Sequence, residues 1–135
     1  MIVADTNTIA YLYLNLNSEK SDQAERLLTL EPTWIAPNLW KSEFRNVLTL
    51  YLRKKILTFD EILIITQQAE NLMLENEYEL SSAHTLQLVN TSNCSAYDCE
   101  FVALAKLLNI PLITADKKII NELPSIAQTF DNFIA

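Results

Sequence analysis

The sequence predicts an α/β fold of three layers, a central and mainly parallel sheet with helices on both faces. Two observations carry that expectation. Strand-like and helical patterns alternate from end to end, and no repeat or low-complexity linker interrupts them. A third observation bounds it: 135 residues, half of them hydrophobic and a fifth charged, suffice for one domain over residues 1–135 with its own core.

Met1–Ala4 is a short apolar run ended by Asp5, a buried strand. Thr6–Leu16 reads as a helix with Ile9, Leu12, Tyr13 and Leu16 on one stripe. Ser18 or Ser21 can cap a second helix running to about Leu30. Thr33–Ala36 is a second strand, closed by Pro37. A long helix follows from about Asn38 to Lys54, with Trp40, Phe44, Val47, Leu48 and Tyr51 on one face. Thr58-Phe-Asp-Glu61 is a capping box, so a fourth helix starts there and reaches about Glu75. Tyr78–Leu80 suggests a short strand and Ser82–Asn90 a short helix. Ser95 caps the next helix, which carries Phe101, Val102, Leu104, Ala105 and Leu108. Asn109 ends it in the left-handed position that glycine usually holds, and Pro111 follows. Ile110–Thr114 is a strand, Asp116–Leu123 a short helix and Ala127–Phe130 a last strand. Units of this length, alternating in this way, pack as a parallel sheet covered on both faces.

Composition removes several function classes. Glycine is absent, so there is no P-loop, no dinucleotide fingerprint and no G-x-S-x-G nucleophile elbow. Cys94 and Cys99 are too few for a disulfide framework, and one histidine, His84, cannot complete a Cys/His zinc site. Two buried or half-buried thiols in a reducing cytoplasm are expected, with His84 a surface or packing residue. The opening MIVAD lacks a basic region, so no signal peptide is expected, and no apolar run reaches membrane-span length. A formal net charge of −7, from 10 basic and 17 acidic residues, argues against holding nucleic acid by bulk charge.

Parallel sheets gather functional groups outside the carboxyl ends of their strands. Asp5 ends the first strand, and Asp116 lies two residues past the strand Ile110–Thr114. Glu43 lies in the helix after the second strand, and Asp98 in the first turn of the helix before Asp116. At about 5 Å and an effective dielectric of about 20, each like-charged pair costs about 3 kcal/mol. Such a cluster persists if hard divalent cations occupy it, and oxygen-only ligands point to Mg²⁺ or Mn²⁺. Taken singly, Asp5, Asp98 and Asp116 could each simply cap a helix. Glu43 cannot. It borders an apolar stripe, where a carboxylate needs an ion or a salt bridge, for instance to Lys41 or Arg45.

The segments M-I-V-A-D-T-N, S-E-F-R-N-V-L and S-A-Y-D-C-E-F-V-A-L-A-K-L-L-N-I-P-L-I-T-A-D-K-K together resemble a PIN domain. Within that superfamily the chain is similar to the compact VapC-type toxins of bacterial toxin–antitoxin pairs, over essentially its whole length. The resemblance implies an acidic metal site of Asp5, Glu43, Asp98 and Asp116. It matches Thr6 and Asn7 to the polar positions after the first Asp, and Thr114 to the hydroxyl of a T-x-D element. It further implies Mg²⁺- or Mn²⁺-dependent hydrolysis of RNA, a homodimer, and inhibition by a cognate antitoxin. Asn109 departs from the family, where glycine is frequent.

Seven of the ten basic residues (Lys41, Arg45, Arg53, Lys54, Lys55, Lys117 and Lys118) flank two of the site elements. Arg45, Lys117 and Lys118 are the candidates for RNA phosphates, although adjacent helical residues diverge by about 100°, so one of the two lysines is expected to reach. Tyr11, Leu12, Tyr13, Leu14 and Trp34 exceed what a small core obviously hides and suggest a partner surface. Three rivals accompany the toxin reading: a PIN-type nuclease of RNA processing without an antitoxin, a PIN scaffold that binds without cutting, and a domain in which an Asp is itself phosphorylated.

Overall fold

The computed structural model describes residues 1–15 and 17–135. The elements run β1 (Ile2–Ala4), α1 (Thr6–Tyr13), α2 (Ser18–Leu30), β2 (Trp34–Pro37), α3 (Leu39–Arg53), α4 (Phe59–Leu72) and β3 (Glu77–Tyr78). They continue with α5 (Ser82–Thr91), α6 (Ala96–Leu108), β4 (Leu112–Ile113), α7 (Lys117–Glu122), β5 (Ala127–Gln128) and α8 (Phe130–Ile134). The five strands form one sheet in the order β3-β2-β1-β4-β5, and all four pairings are parallel. Helices flank this sheet in the three-layer arrangement expected. β1 is central, pairing Val3 with Ile35 of β2 on one side and with Leu112 of β4 on the other. The chain order therefore reverses between β1 and β4, the switch point where parallel sheets open a crevice.

Burial explains why such short strands hold. Ile2, Val3, Trp34, Ile35, Ala36, Leu112 and Ile113 are all buried. α6 lies against β1, β2 and β4, with α5 packed beside it. Its buried run Phe101, Val102, Ala103, Leu104 and Ala105, together with Cys99, fills the space between them. Both cysteines are free and buried, and His84 is exposed, its ring Nδ1 beside the Ser81 hydroxyl at 2.9 Å.

Local capping chemistry sets the helix ends. Thr58 and Glu61 close the capping box of α4, and the Ser95 hydroxyl accepts the Asp98 N–H at 3.1 Å to start α6. Asn109 takes φ 54°, ψ 47°, the left-handed conformation that stops α6. Lys55 and Glu75 also sit at positive φ, after α3 and α4. Side chains with a Cβ thus serve three reversals in a chain with no glycine.

Several expectations need correction. α1 stops at Tyr13, because Leu14 is extended and buried; Leu16, placed in that helix from the sequence, lies outside the described residues. β3 is Glu77–Tyr78 rather than Tyr78–Leu80, since its bonds to β2 run from Ala36 N–H to Asn76 O and from Asn38 N–H to Tyr78 O. The last strand ends at Gln128. The Thr129 hydroxyl accepts the Asn132 N–H at 3.1 Å, so Phe130 opens a helix instead. Trp34 and Leu14 do not form a partner surface: β2 is an inner strand, and both side chains lie in the core. Tyr11, Leu12 and Tyr13 are half-buried against it. Exposed apolar bulk collects instead at Ile56, Phe59, Leu63 and Ile64, around the turn into α4.

At Asn109, glycine would relieve left-handed strain but add unfolded-state freedom, and the two effects nearly cancel. Asn109→Gly should leave stability within about 0.5 kcal/mol in urea unfolding, whereas Asn109→Val should cost about 1–2 kcal/mol. Equal losses in both variants would show that the Asn side chain, not its backbone angle, matters.

Candidate active site

Three parallel strands deliver functional groups to one edge. β1 ends at Ala4 and the chain enters α1 through Asp5. β4 ends at Ile113 and the chain passes Thr114 to Asp116, which opens α7. β2 leads into α3, which carries Glu43. α6 runs back toward the start of β4, so its first turn, with Asp98, lies at the same edge. The four acids line one cavity of about 400 Å³. Thr6, Asn7, Ser42, Asn46 and Tyr97 share its walls, with Leu39, Val47, Phe101 and Ile119 as the apolar part.

Asp5 is buried, 8% exposed. Its Oδ1 accepts the Thr8 N–H at 2.8 Å and the Thr8 hydroxyl at 2.6 Å, and its Oδ2 accepts the Thr114 hydroxyl. Burial pushes its pKa above the ordinary carboxylate value. The Thr114 and Thr8 hydrogen bonds oppose that, and the charge of Asp116 adds to it. Thr114 also accepts the Asp116 N–H at 3.0 Å, so one hydroxyl ties both acids together.

Glu43 is half-buried, and its Oε1 accepts the Thr6 hydroxyl at 2.7 Å. Burial raises its pKa, Thr6 pulls it down, and the charges of Asp98, Asp5 and Glu100 push it up again. The salt bridge weighed from sequence does not form. Lys41 reaches Glu70 at 3.5 Å and Glu77 at 3.7 Å, and Arg45 lines a separate groove with Leu48, Leu52 and Ile62.

Asp98 is the third residue of α6, where Ser95 is the cap. Burial raises its pKa, Asp116 adds to the rise, and Ser95 and the charge of Lys118 lower it. Asp116 does cap α7. Its Oδ1 accepts the Lys118 and Ile119 N–H groups at 2.9 and 3.3 Å, while Oδ2 accepts no hydrogen bond among the described residues. Capping and site membership therefore coexist in Asp5 and Asp116. None of the three candidate phosphate contacts is in the cavity wall: the charge of Lys118 lowers the Asp98 pKa, Lys117 is exposed beside it, and Arg45 lines a separate groove.

Thr8, Ser42, Asn46 and Tyr97 were not singled out from sequence. Thr8 stands three residues after an Asp that caps a helix, a spacing at which its N–H is an obvious donor. Asn46 follows Glu43 by three residues and so shares its helix face. The interest of Arg45 as a charge obscured its neighbour.

No ion pair joins any of the four acids to a basic side chain among the described residues. One buried and three half-buried carboxylates, mutually repelling and offering only oxygen donors, suit a hard divalent cation. No three of them stand close enough to hold one ion between them, among the described residues. Such a set fits an ion that keeps several of its waters, as Mg²⁺ does.

Fold, strand order and acidic edge together define a class, and the chain belongs to the PIN domain family, whose model matches residues 2–124. It is similar to Ribonuclease VapC3 of Pyrobaculum aerophilum, 27% identical over 138 residues, spanning 93% of this chain and 96% of that one. Its fold matches the crystal structure of FitAcB from Neisseria gonorrhoeae with a TM-score of 0.74 at 16% identity, covering 96% of this chain and 98% of that chain. A toxin–antitoxin complex from Klebsiella pneumoniae matches at 0.70 and 18%, with the same coverage of 96% and 98%. No helix among the described residues is long and apolar enough to cross a membrane.

The raised pKa values of Asp5, Glu43 and Asp98 have a definite stability sign. Folding favours their protonated forms, so the stability they allow is fully present below the ordinary carboxylate range and lost as pH rises through the raised values. Metal-free protein should accordingly melt higher at about pH 5 than at about pH 8. Glu43→Gln should flatten that slope and raise the pH 8 melting temperature by about 3–5 °C per kcal/mol of relieved repulsion. Melting curves across pH in EDTA test this; an unchanged slope in the variant would remove Glu43 from the repelling set.

Proposed function

We propose that this chain is a Mg²⁺- or Mn²⁺-dependent endoribonuclease that hydrolyses RNA phosphodiester bonds, acting in the cytoplasm as the toxin of a toxin–antitoxin pair. The observation that carries this reading is the convergence of Asp5, Glu43, Asp98 and Asp116 on one cavity without a basic partner among the described residues. Support also comes from what its relatives are called. One is a ribonuclease and another is half of a toxin–antitoxin complex. A cognate antitoxin and a second copy of the chain are the protein partners this reading implies.

Asp116 keeps its Oδ2 free of hydrogen bonds among the described residues; with Asp98, and with Asp5 whose orientation Thr8 and Thr114 lock, it would hold the ion in part through the ion's own waters, since no three of the acids close on one ion directly. Bound Mg²⁺ or Mn²⁺ supplies a water of lowered pKa and positive charge for the developing negative charge of the reaction. Glu43 has Oε1 engaged by Thr6, which leaves Oε2 to take a proton from the attacking water. Its raised pKa suits that role better than an exposed carboxylate would. Lys118 lies where it can meet a substrate phosphate without neutralising the site, since Asp98 feels its charge but does not pair with it.

A second reading rests on one observation, the lack of three acids within reach of a single ion among the described residues. On that reading the domain binds a partner and does not cut. Purified protein should cleave RNA with Mg²⁺ present and stop when EDTA is added. Asp98→Asn should lower the rate by more than about 100-fold, beyond the effect of losing an outer-shell partner, while the protein stays folded. Mg²⁺ should also raise the wild-type melting temperature, and less so that of Asp98→Asn. Wild-type protein that binds RNA but cleaves none with either ion, and gains no stability from them, is the silent module.

A further inference from the structure

Tyr97 stands on the cavity wall beside Asp98, yet its ring is 63% exposed. Only one other aromatic side chain among the described residues is comparably open, Phe59 at 60%, and it lies at the start of α4, outside this cavity. The other aromatic in the cavity wall, Phe101, is one turn further along α6 and buried at 3%. It packs in the core. A large apolar ring next to four charged or polar groups gains nothing from that position in the isolated chain. Its hydroxyl makes no hydrogen bond to another described residue.

Across the cavity are short polar side chains that can both donate and accept. Asn46 and Ser42 come from α3 and Asn7 from α1, and none of the three has a side-chain hydrogen bond among the described residues. A ring on one wall and unpaired amides on the others form a receptacle for a flat, polar-edged group. A nucleobase has that shape and chemistry, with a face to stack and an edge to hydrogen-bond. A base can stack there only if it is out of a duplex, because a paired base keeps both faces against its neighbours.

We propose that Tyr97 is a positioning and specificity residue: it stacks on an unpaired base next to the scissile phosphate, and so selects single-stranded or looped RNA over duplex. This rests on the ribonuclease reading and names its substrate class. The stack places the adjoining phosphate over Asp98, one residue along the same helix turn. Asn46 and Asn7 then give a modest preference among bases, while Lys118 meets the backbone.

The test uses full-length protein with Glu43→Gln to block turnover, a short single-stranded RNA of mixed sequence, and the same sequence as a blunt duplex. Fluorescence anisotropy in Mg²⁺ reads affinity. Tyr97→Ala should weaken single-strand binding by about 5- to 100-fold, the range for losing one base stack, and Tyr97→Phe should keep it. Duplex binding should be weaker and the same in all three. In the otherwise wild-type protein Tyr97→Ala should raise KM far more than it lowers kcat, with unchanged melting, since the ring is not part of the core. Equal single-strand affinity for Ala and Phe variants overturns the stacking role while cleavage by wild type leaves the ribonuclease reading intact. Absence of cleavage by wild type on every RNA overturns both.

Discussion

A carboxylate buried at the end of the central strand sets the terms for everything around it. Asp5 is fixed by three donors from two elements: both groups of Thr8 in α1, and the hydroxyl of Thr114 beyond β4. Without them a buried carboxylate would cost several kcal/mol and drift toward its neutral form. With them it joins β1 to β4 across the place where the chain order reverses. The same Thr114 hydroxyl then accepts the N–H of Asp116, and Asp116 begins α7. One hydrogen-bond relay therefore sets the relative positions of two site acids and the entry angles of two helices.

The remaining acids are held by different means, which suits different tasks. Glu43 is positioned by Thr6, the residue after Asp5, so α1 steadies acids from β1 and from α3 at once. Asp98 is held by Ser95 alone, whose hydroxyl accepts its N–H and whose hydrogen bonding also lowers its carboxyl pKa, whereas Asp5 is held from two elements. A site with one locked acid and others with free oxygen is rigid where geometry must persist and open where a ligand must enter. Rigidity here comes from hydroxyls and caps, not from glycine loops. That is how a chain without glycine can build the site proposed to handle phosphate: the site is made of side chains, and among the described residues left-handed backbone is confined to Lys55, Glu75 and Asn109 at the ends of helices.

Much of this was legible in the residues because the signals were local. The capping box at Thr58, the cap at Ser95 and the left-handed Asn109 are each decided within a few residues. A parallel sheet by itself brings Asp5, Asp116 and the start of the Glu43 helix to one edge, while the full set of four acids, with Asp98, was what the family resemblance implied. What could not be read depended on distant partners. The start of β3 is set by its register against Ala36 and Pro37, and Ala127–Phe130 was split because Thr129 finds the Asn132 N–H. Trp34 read as surface because nothing in its neighbourhood reveals that β2 is an inner strand. Charge was the least legible. Lys41 read as a salt-bridge partner for Glu43 and pairs with Glu70 and Glu77 instead, and Arg45, read as a phosphate contact, lines another groove.

That redistribution of charge bears on how the proposed substrate is held. Arg53, Lys54 and Lys55 lie ten or more residues beyond Glu43, about 15 Å or more along the helix axis. Near the acids, the charge of Lys118 lowers the pKa of Asp98. On the proposed function, a protein with a net charge of −7 and so few basic side chains near its cavity would not draw most of its affinity for RNA from counterion release. The shortfall has to be met by cations bound to the acids and by contacts that do not depend on phosphate charge. Stacking on an exposed ring is such a contact, and it weakens little with salt. The acidic balance and the exposed Tyr97 are therefore two sides of one arrangement, in which the base and the bound ion, more than the protein's basic residues, bring the backbone to the site.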